Sequence, residues 1–190
     1  MSCYSQEELQ GLGFKHVGAD VRISRKASFY GIENIEIDDG SRIDDFCVLS
    51  AGSGGISVGK HVHVAVNCSL IGAARITLSD YCNLSSRVAI YSSSDDYSGA
   101  YMTNPTIPKQ FTNVTDADVF LGTHVIVGCG SVILPGLTLA DGVAVGALSL
   151  VNQNCSEFGI YAGCPARRIK DRQKNLLALQ KEFESGAAGN

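Results

Sequence analysis

The chain has no excess of positive charge. Its 15 lysine and arginine residues are outnumbered by 19 aspartate and glutamate residues, which gives a formal net charge of −4. Because proteins that bind nucleic acid carry a basic face, nucleic acid is not an expected partner. The first ten residues also lack the basic and apolar segments of a signal peptide. A cytoplasmic location is therefore expected.

The seven cysteines lack the spacing of a metal site. No two of them form a Cys-x-x-Cys pair, so neither structural zinc nor another metal is predicted. Cys47, Cys68 and Cys82 take the same place in a repeated pattern, where valine, alanine or serine stands elsewhere. This placement indicates small buried side chains. In the absence of an export signal, the thiols are expected to be reduced.

The stretch from Val125 to Val151 has few charges and is long enough to cross a bilayer. Pro135, Asp141 and many glycines argue against a membrane helix there. The apolar residues of this stretch recur every six residues, which neither an amphipathic helix nor an ordinary strand explains. No transmembrane segment is therefore expected, and the period of six is the main structural signal.

Apolar residues recur at this spacing along most of the chain. Grouped in threes, they are Val17, Ile23 and Phe29; Ile37, Ile43 and Leu49; Val58, Val64 and Leu70; Leu78, Leu84 and Ile90; Leu121, Val127 and Ile133; Leu139, Val145 and Val151. Two places before the later members stand mostly small or β-branched residues, namely Val125, Ser131, Leu137, Val143 and Ser149. Short fixed periods of this kind are typical of a β-solenoid, here with three hexads to a coil.

The period slips at one place in the coil. Extra residues follow Phe29, Leu49, Leu70 and Ile90, which all end a third hexad, so the insertions fall at one corner of a triangular prism. The first three insertions have two or three residues, whereas the last has twenty-five and occupies about 94–120. Insertions gathered on one edge of a solenoid are where binding surfaces usually lie.

The two ends do not follow the hexads. Ser5-Gln-Glu-Glu8 is a capping box and predicts a short helix in an N-terminal cap of residues 1–16. After the coils of residues 17–170, helix-forming residues from Asp171 to Phe183 predict one C-terminal helix. A frayed tail completes the segment 171–190.

The hexads, the long insertion and the closing Tyr161-Ala-Gly-Cys-Pro-Ala-Arg-Arg-Ile-Lys170 together resemble the hexapeptide-repeat acyltransferases. The likeness covers about residues 17–170 and is nearest to the sugar O-acetyltransferases of the galactoside and maltose type, with their relatives in surface-polysaccharide synthesis. It implies an all-β fold, a left-handed parallel β-helix, assembled as a homotrimer with sites between neighbouring prisms. It also implies acetyl-CoA as co-substrate and a small sugar or saccharide as acceptor.

Acetyl transfer to a hydroxyl needs a base. His63 falls where the resemblance places acceptor-binding residues, and we favour it as the base over a surface residue at a coil corner. The galactoside type has its general-base histidine just after the strand that enters the long loop, where this chain has Asp95 and Asp96. These carboxylates cap a turn, orient His63 across a subunit boundary, or supply the base. His61 and His124 are expected on the solvated surface.

The resemblance also implies binding residues. Acceptor contacts are expected from one residue of the long insertion and three of the coils, namely Met102, Asn67, Asn83 and Ser85. Coenzyme A contacts are expected along a groove in the last coils, at Cys129, Ala147, Asn152 and Gln153. Arg167 and Lys170 are expected to meet the cofactor's phosphates, which a forked donor and a point charge suit.

We therefore expect an enzyme that acetylates a sugar hydroxyl by direct attack on the thioester. Two alternatives remain open. An N-acetyltransferase acting on a nucleotide-linked amino sugar shares the fold and differs in its acceptor. A catalytically silent solenoid that serves as a binding module is the other, because Asp95 stands where the family has its histidine.

Overall fold

The computed structural model describes residues 2–186, and its strands follow the period of six. In chain order the strands are β1 His16–Val17, β2 Arg22–Ile23, β3 Ser28–Tyr30, β4 Ile35–Ile37, β5 Arg42–Ile43, β6 Val48–Ala51, β7 Ile56–Val58, β8 His63–Val64, β9 Ser69–Gly72, β10 Ile76–Leu78, β11 Asn83–Leu84, β12 Ala89–Tyr91, β13 Ser93–Ser94, β14 Thr115–Asp116, β15 Val119–Leu121, β16 Ile126–Val127, β17 Val132–Ile133, β18 Thr138–Leu139, β19 Ala144–Val145, β20 Leu150–Val151, β21 Gly159–Gly163 and β22 Ala166–Asp171. The helices are α1 Gln6–Gly11 and α2 Leu176–Glu184, with 3₁₀ turns at Ile32–Asn34 and Lys109–Phe111.

The strands form the three faces of a prism. The first face has the order β1-β4-β7-β10-β15-β18, and the third has β3-β6-β9-β12-β17-β20. The second face has β2-β5-β8-β11-β16-β19-β21, and β22 closes it in the antiparallel direction. The chain is thus a parallel β-solenoid, as the period predicted, and it has about seven turns where six coils were counted from the hexads. We call the turn after each first strand the first corner, after each second strand the second, and after each third strand the third.

The strand register stacks the predicted interior residues in three columns. On the first face Val17, Ile37, Val58, Leu78, Leu121 and Leu139 are paired from coil to coil, and the other two faces repeat this order. All eighteen are buried except Val17 and Phe29 in the first coil, which has no coil beneath it. Each fully buried aliphatic side chain contributes about 1.5–3 kcal/mol, so this repeat supplies most of the apolar stabilisation.

Glycine follows several of these aliphatic residues because successive coils approach closely there. A Cβ atom on Gly122 would lie 2.7 Å from the backbone nitrogen of Asp141 in the next coil. Real Cβ atoms do not come this near to a neighbouring backbone, so any side chain would push the coils apart. The short hexad thereby keeps its hydrogen-bonded spacing.

The N-terminal helix has the predicted capping box. The backbone nitrogen of Glu8 donates to Ser5 Oγ at 3.2 Å, and that of Ser5 donates to Glu8 Oε2 at 2.7 Å. Leu9 of α1 is fully buried and joins the core. The cap was predicted from residue 1, which lies outside the described residues.

The C-terminal helix is shorter than predicted. Asp171 ends β22 and pairs with Gly159, so the helix begins at Leu176. The guanidinium of Arg172 fixes the extended segment between them, because it donates to the carbonyls of His124 and Gly142 at 2.8 and 3.1 Å. Of the predicted tail, residues 187–190 lie outside the described residues.

Helix α2 packs on the first corner. The rings of His61, Tyr81 and His124 stack there from coil to coil, with centroids 5.5 and 4.9 Å apart. Phe183 of α2 meets His61 edge-on at 5.2 Å, and Gln180 Oε1 lies 2.6 Å from His124 Nε2. The expectation of a solvated surface is therefore wrong for His124, which the helix covers. No helix within residues 2–186 has the length and apolar content to span a bilayer.

Candidate active site

The long insertion leaves the third corner as an ordered arm, which we define as residues 94–120. Its base is closed by antiparallel pairing of β13 and β14, with Ser93 opposite Asp116. The hydroxyl of Ser93 donates to Asp116 Oδ1 at 2.6 Å. Further out, the backbone nitrogen of Met102 donates to the carbonyl of Phe111 at 2.9 Å. Hydrogen bonds therefore hold the arm in one shape.

Asp95 lines two adjoining cavities along the arm. The larger, of about 460 Å³, lies between the third face and the arm. Its lining includes Ile71 of β9, Asp95, Asn104, Ile107 and Lys109. The smaller, of about 440 Å³, is lined by arm residues alone, among them the aspartate pair and two tyrosines. Both volumes fall in the range of about 300–1,000 Å³ that small-molecule sites occupy.

The two carboxylates of the aspartate pair have different surroundings. Asp96 Oδ1 accepts a hydrogen bond from the backbone nitrogen of Ser98 at 2.6 Å, which forms a turn. Hydrogen bonds from the Ser98 side chain and backbone hold the pKa of Asp96 below its ordinary value. The Asp95 carboxylate accepts no hydrogen bond from residues 2–186. Asp96 therefore fits the predicted turn-capping role, and Asp95 is the better candidate for a base.

His63 lies in β8 on the second face, and not at a coil corner as predicted. It precedes the buried Val64, so the alternation of the strand directs its ring outward. His63 Nε2 is 3.0 Å from Asp44 Oδ2, and Arg42 Nε donates to Asp44 Oδ1 at 2.6 Å. Burial raises the pKa of Asp44, but the hydrogen bonds from His63 and Arg42 outweigh it, and the pKa lies below its ordinary value. The carboxylate partner of His63 within the chain is thus Asp44, on the neighbouring coil.

The predicted acceptor contacts fall on two edges of the prism. Asn83 lies next to His63 on the second face, and Ser85 and Asn67 lie at the second corner, where Asn67 has a positive φ of 61°. Met102 is on the arm at the third corner, 54% exposed, and lines neither cavity. Strand β12 and its flanking residues separate the two edges by roughly 15 Å, at about 3.3 Å per residue.

The predicted coenzyme A contacts lie on the last coils. Cys129 and Ala147 occupy the same place of the second corner in successive coils, and the nitrogen of Leu148 donates to the carbonyl of Cys129 at 2.9 Å. Both side chains are small, and Ala147 is exposed. Asn152 follows β20 at the third corner of the last coil and is exposed.

The predicted phosphate contacts lie on and beside β22. Gln153 Nε2 and Arg167 Nη1 both donate to the carbonyl of Ala166, at 3.4 and 2.9 Å, so the structure brings these two side chains together. Lys170 is exposed on the same strand and forms no ion pair with residues 2–186. Two positive charges on one exposed strand fit the phosphates of a nucleotide.

The sequence reasoning missed several residues that the structure brings to these places. Asp44 was not recognised as the partner of His63, and Asn104, Ile107 and Lys109 were not recognised as cavity walls. One signal was available, since Lys109 is the single lysine or arginine of the arm. Among residues 2–186, no cluster of three or more histidine, cysteine, aspartate or glutamate residues is arranged to hold a metal ion.

Comparison with known proteins identifies the family. No family model matches the chain. It is 50% identical over 190 residues to dTDP-4-amino-4,6-dideoxy-D-glucose acyltransferase of Escherichia coli, covering 100% of this chain and 99% of the relative. It is 42% identical to AntD, an N-acyltransferase of Bacillus cereus solved with dTDP and 3-hydroxybutyryl-CoA, with a TM-score of 0.92 and 99% of each chain covered.

A more distant structure agrees in fold alone. A maltose O-acetyltransferase of Clostridium difficile 630 matches with a TM-score of 0.59 and 20% identity, covering 89% of this chain and 75% of that one. The likeness to these proteins confirms the left-handed parallel β-helix. The chain belongs to the hexapeptide-repeat acyltransferases, as its hexads, arm and closing motif predicted.

Proposed function

We propose that this protein transfers an acyl group from acyl-CoA to the amino group of a dTDP-linked 4-amino-4,6-dideoxy sugar. This is the N-acyl alternative drawn from the sequence, and it replaces the predicted acetylation of a sugar hydroxyl. The names of the two relatives that match over nearly their full length support this reaction. The name of the Escherichia coli protein gives the acceptor, and AntD is described as an N-acyltransferase. Asp95 carries the proposal, because it lines two of the arm cavities and no histidine lines either of them.

The positions altered in AntD support the choice of residues. AntD has been solved with one serine changed and, separately, with one aspartate changed, and these two positions stand ten residues apart. The serine variant holds dTDP-4-amino-4,6-dideoxyglucose and coenzyme A. Ser85 and Asp95 of this chain, both predicted site residues, also stand ten apart. We assign them to contacts with the acceptor amine.

The reaction needs one proton acceptor. The free amine attacks the carbonyl carbon of the thioester, and a carbon–nitrogen bond forms as negative charge develops on the carbonyl oxygen. Asp95 takes the proton that the nitrogen loses. When the tetrahedral intermediate collapses, the carbon–sulfur bond breaks and the thiolate of coenzyme A leaves, to which Asp95 returns the proton. Because an amine is a stronger nucleophile than a hydroxyl, a carboxylate base suffices in place of a histidine.

The proposed site joins two chains. Within one prism, Ser85 at the second corner and Asp95 at the third stand roughly 15 Å apart across the third face. Both contact one amine only if the second corner of one subunit meets the third corner of its neighbour. A cyclic homotrimer brings these different edges together three times. The groove with Cys129 and Ala147 then faces the arm of the neighbouring subunit, which joins the acyl donor to the acceptor.

An acceptor panel tests the proposed reaction. Thiol release from acetyl-CoA and from 3-hydroxybutyryl-CoA is measured with dTDP-4-amino-4,6-dideoxyglucose, with the matching 4-hydroxy nucleotide sugar, and with maltose and a galactoside. We expect release with the amino sugar, and a product whose mass rises by one acyl group. If only a hydroxyl acceptor is turned over, the protein is an O-acetyltransferase as first predicted. If no acceptor is turned over, the result favours a binding module without catalytic activity.

A further inference from the structure

Lys109 stands apart from the other charged residues of the arm. The arm has four carboxylates, Asp95, Asp96, Asp116 and Asp118, and this one cation. None of the carboxylates within residues 2–186 forms an ion pair with Lys109, although most other lysines and arginines have one. Lys109 lines the larger arm cavity together with Asp95, and it also lines a smaller cavity of about 270 Å³ together with Asp116. The larger cavity therefore has one negative and one positive group on its wall.

The backbone holds Lys109 in place. Pro108 precedes it with φ fixed at −56°, and the 3₁₀ turn Lys109–Phe111 follows. The nitrogen of Phe111 donates to the carbonyl of Pro108 at 3.0 Å, and the Thr112 hydroxyl donates to that of Lys109 at 3.3 Å. The backbone that carries the Lys109 ammonium group is thus held in one conformation. Binding of an anion therefore costs less conformational entropy than it would if the lysine were on a mobile loop.

Apolar residues make up much of the rest of the cavity lining. Ile71, Pro105, Ile107 and Val114 belong to this lining. A complementary ligand carries a positive group, an anion and a hydrocarbon surface. A 4-amino-4,6-dideoxy sugar on a nucleotide has this layout, because its amine is on C4, its diphosphate is on C1 across the ring, and its C6 is a methyl group.

We infer that Lys109 binds the sugar-proximal phosphate of the acceptor while Asp95 faces the amine. This inference rests on the proposed function and adds the residue that separates a nucleotide-linked amino sugar from a free one. The phosphates of coenzyme A are the other anions present. Their predicted contacts, Arg167 and Lys170, lie on β22 and do not line this cavity.

The test removes the charge and follows each ligand separately. Lys109→Gln is compared with Lys109→Arg and with Lys181→Gln, which changes an exposed lysine of α2 that likewise has no carboxylate partner within residues 2–186. Calorimetry measures binding of dTDP and of coenzyme A. Kinetics compare dTDP-4-amino-4,6-dideoxyglucose with the free amino sugar. Thermal unfolding checks that all variants are folded.

Loss of a charge-assisted hydrogen bond weakens binding roughly 10- to 100-fold. We expect Lys109→Gln to show that loss in dTDP affinity and in kcat/KM for the nucleotide sugar. Lys109→Arg should restore most of the affinity. Coenzyme A binding and kcat/KM for the free amino sugar stay unchanged, as does every value in Lys181→Gln. Raising the salt concentration weakens dTDP binding in the wild type more than in Lys109→Gln.

Other outcomes overturn the inference. If the wild type acylates the nucleotide amino sugar but Lys109→Gln keeps its dTDP affinity, Lys109 is a solvated charge and the proposed function stands. If Lys109→Gln loses coenzyme A affinity instead, the lysine serves the donor. If the wild type neither binds dTDP nor acylates the nucleotide sugar, the inference and the proposed function fail together.

Discussion

The coils and the arm use their apolar residues differently. In the coils nearly all aliphatic side chains that follow the period of six are buried, as Leu49, Leu84 and Ile133 show with no exposed surface. In the outer part of the arm, from Tyr97 to Val114, every large apolar side chain except Ile107 remains about half exposed or more, from 48% for Val114 to 93% for Tyr97. The coils therefore gain their stability from burial, whereas the arm keeps its shape through hydrogen bonds and prolines.

This difference divides the work between the two regions. A side chain that the fold does not bury is available to a ligand, and the arm has both cavities that Asp95 lines. The coils supply a rigid edge against which the arm is placed. We therefore expect changes in the arm to alter chemistry at constant stability, and changes in the coils to alter stability first.

The largest effect is expected at Asp95. Asp95→Asn removes the proton acceptor and should lower turnover by roughly 10²- to 10⁴-fold, the usual contribution of a general base. The melting temperature should stay within about 2 °C, because an exposed arm residue contributes little to stability. Thiol release at saturating substrates and a thermal scan measure both quantities.

Asp96→Asn is the matched control. Its carboxylate forms the turn with Ser98, so its removal should cost less than about tenfold in turnover. A larger loss at Asp96 than at Asp95 would exchange the roles of the two aspartates.

The next effect concerns stability. Ile90→Ala deletes a fully buried side chain between Leu70 and Ile133 and should lower the free energy of unfolding by about 2–5 kcal/mol. The same change in the arm, Ile107→Ala, should cost less than about 1 kcal/mol, because that side chain is only partly buried. Urea denaturation measures both. Equal losses would mean that the arm is part of the core.

Complementation between subunits tests the composite site. The Ser85→Ala and Asp95→Asn variants are prepared separately as full-length chains. They are then unfolded, mixed in equal amounts and refolded together. In a cyclic trimer each site takes Ser85 from one chain and Asp95 from the next, so random mixing restores about a quarter of the sites. Activity should rise accordingly above that of either variant. If the site were built within one chain, mixing would give no gain in activity. A mixture of two preparations of Asp95→Asn is the control and should also show no gain.

The repeat was predictable from the sequence and the site only in part. The period of six predicted the coils, because one residue of each hexad lies in the interior and must be apolar. The C-terminal helix was predicted to begin at Asp171, but that residue is the last of β22, which takes its shape from antiparallel pairing with β21. His63 was placed at a corner because a pattern of six does not show where a two-residue strand begins.

The internal structure of the arm could not be predicted from the sequence. Its position and the importance of Asp95 followed from the register and the family likeness, but its internal contacts did not. Lys109 and Ile107 reach the cavity through one pair of turns set by Asn104 and Pro108. Such turns have no period, so nothing local in the sequence reveals which residues they bring near Asp95.

A smaller effect is expected for the acyl donor. Arg167→Ala with Lys170→Ala should raise the apparent KM for acyl-CoA about tenfold or more and leave the KM for the acceptor unchanged, because only the donor's phosphates lose a partner. Arg168→Ala is the control on the same strand, since Arg168 is already paired with Asp171 at 2.5 Å. Equal weakening of both substrates would make the Arg167 and Lys170 pair structural.

The smallest effect is expected at His63. Asp44 and Arg42 already occupy the surroundings of its ring, so His63→Ala should lower turnover by less than about tenfold, below the usual contribution of a base. The variant removes the strongest of the interactions that lower the pKa of Asp44 and leaves Arg42 as the partner of that carboxylate.

The pH profile separates a histidine base from an amine acceptor. Only the free amine attacks, so the rate should rise with pH through the ionisation of the acceptor itself, at about 7 to 8 if it resembles an α-amino group. Because that rise belongs to the substrate, His63→Ala should keep it. A histidine base would instead give a rise that belongs to the enzyme, which the variant would lose. Loss of that rise together with a 10²-fold or larger fall in turnover would return the base to His63 and leave Asp95 to orient it.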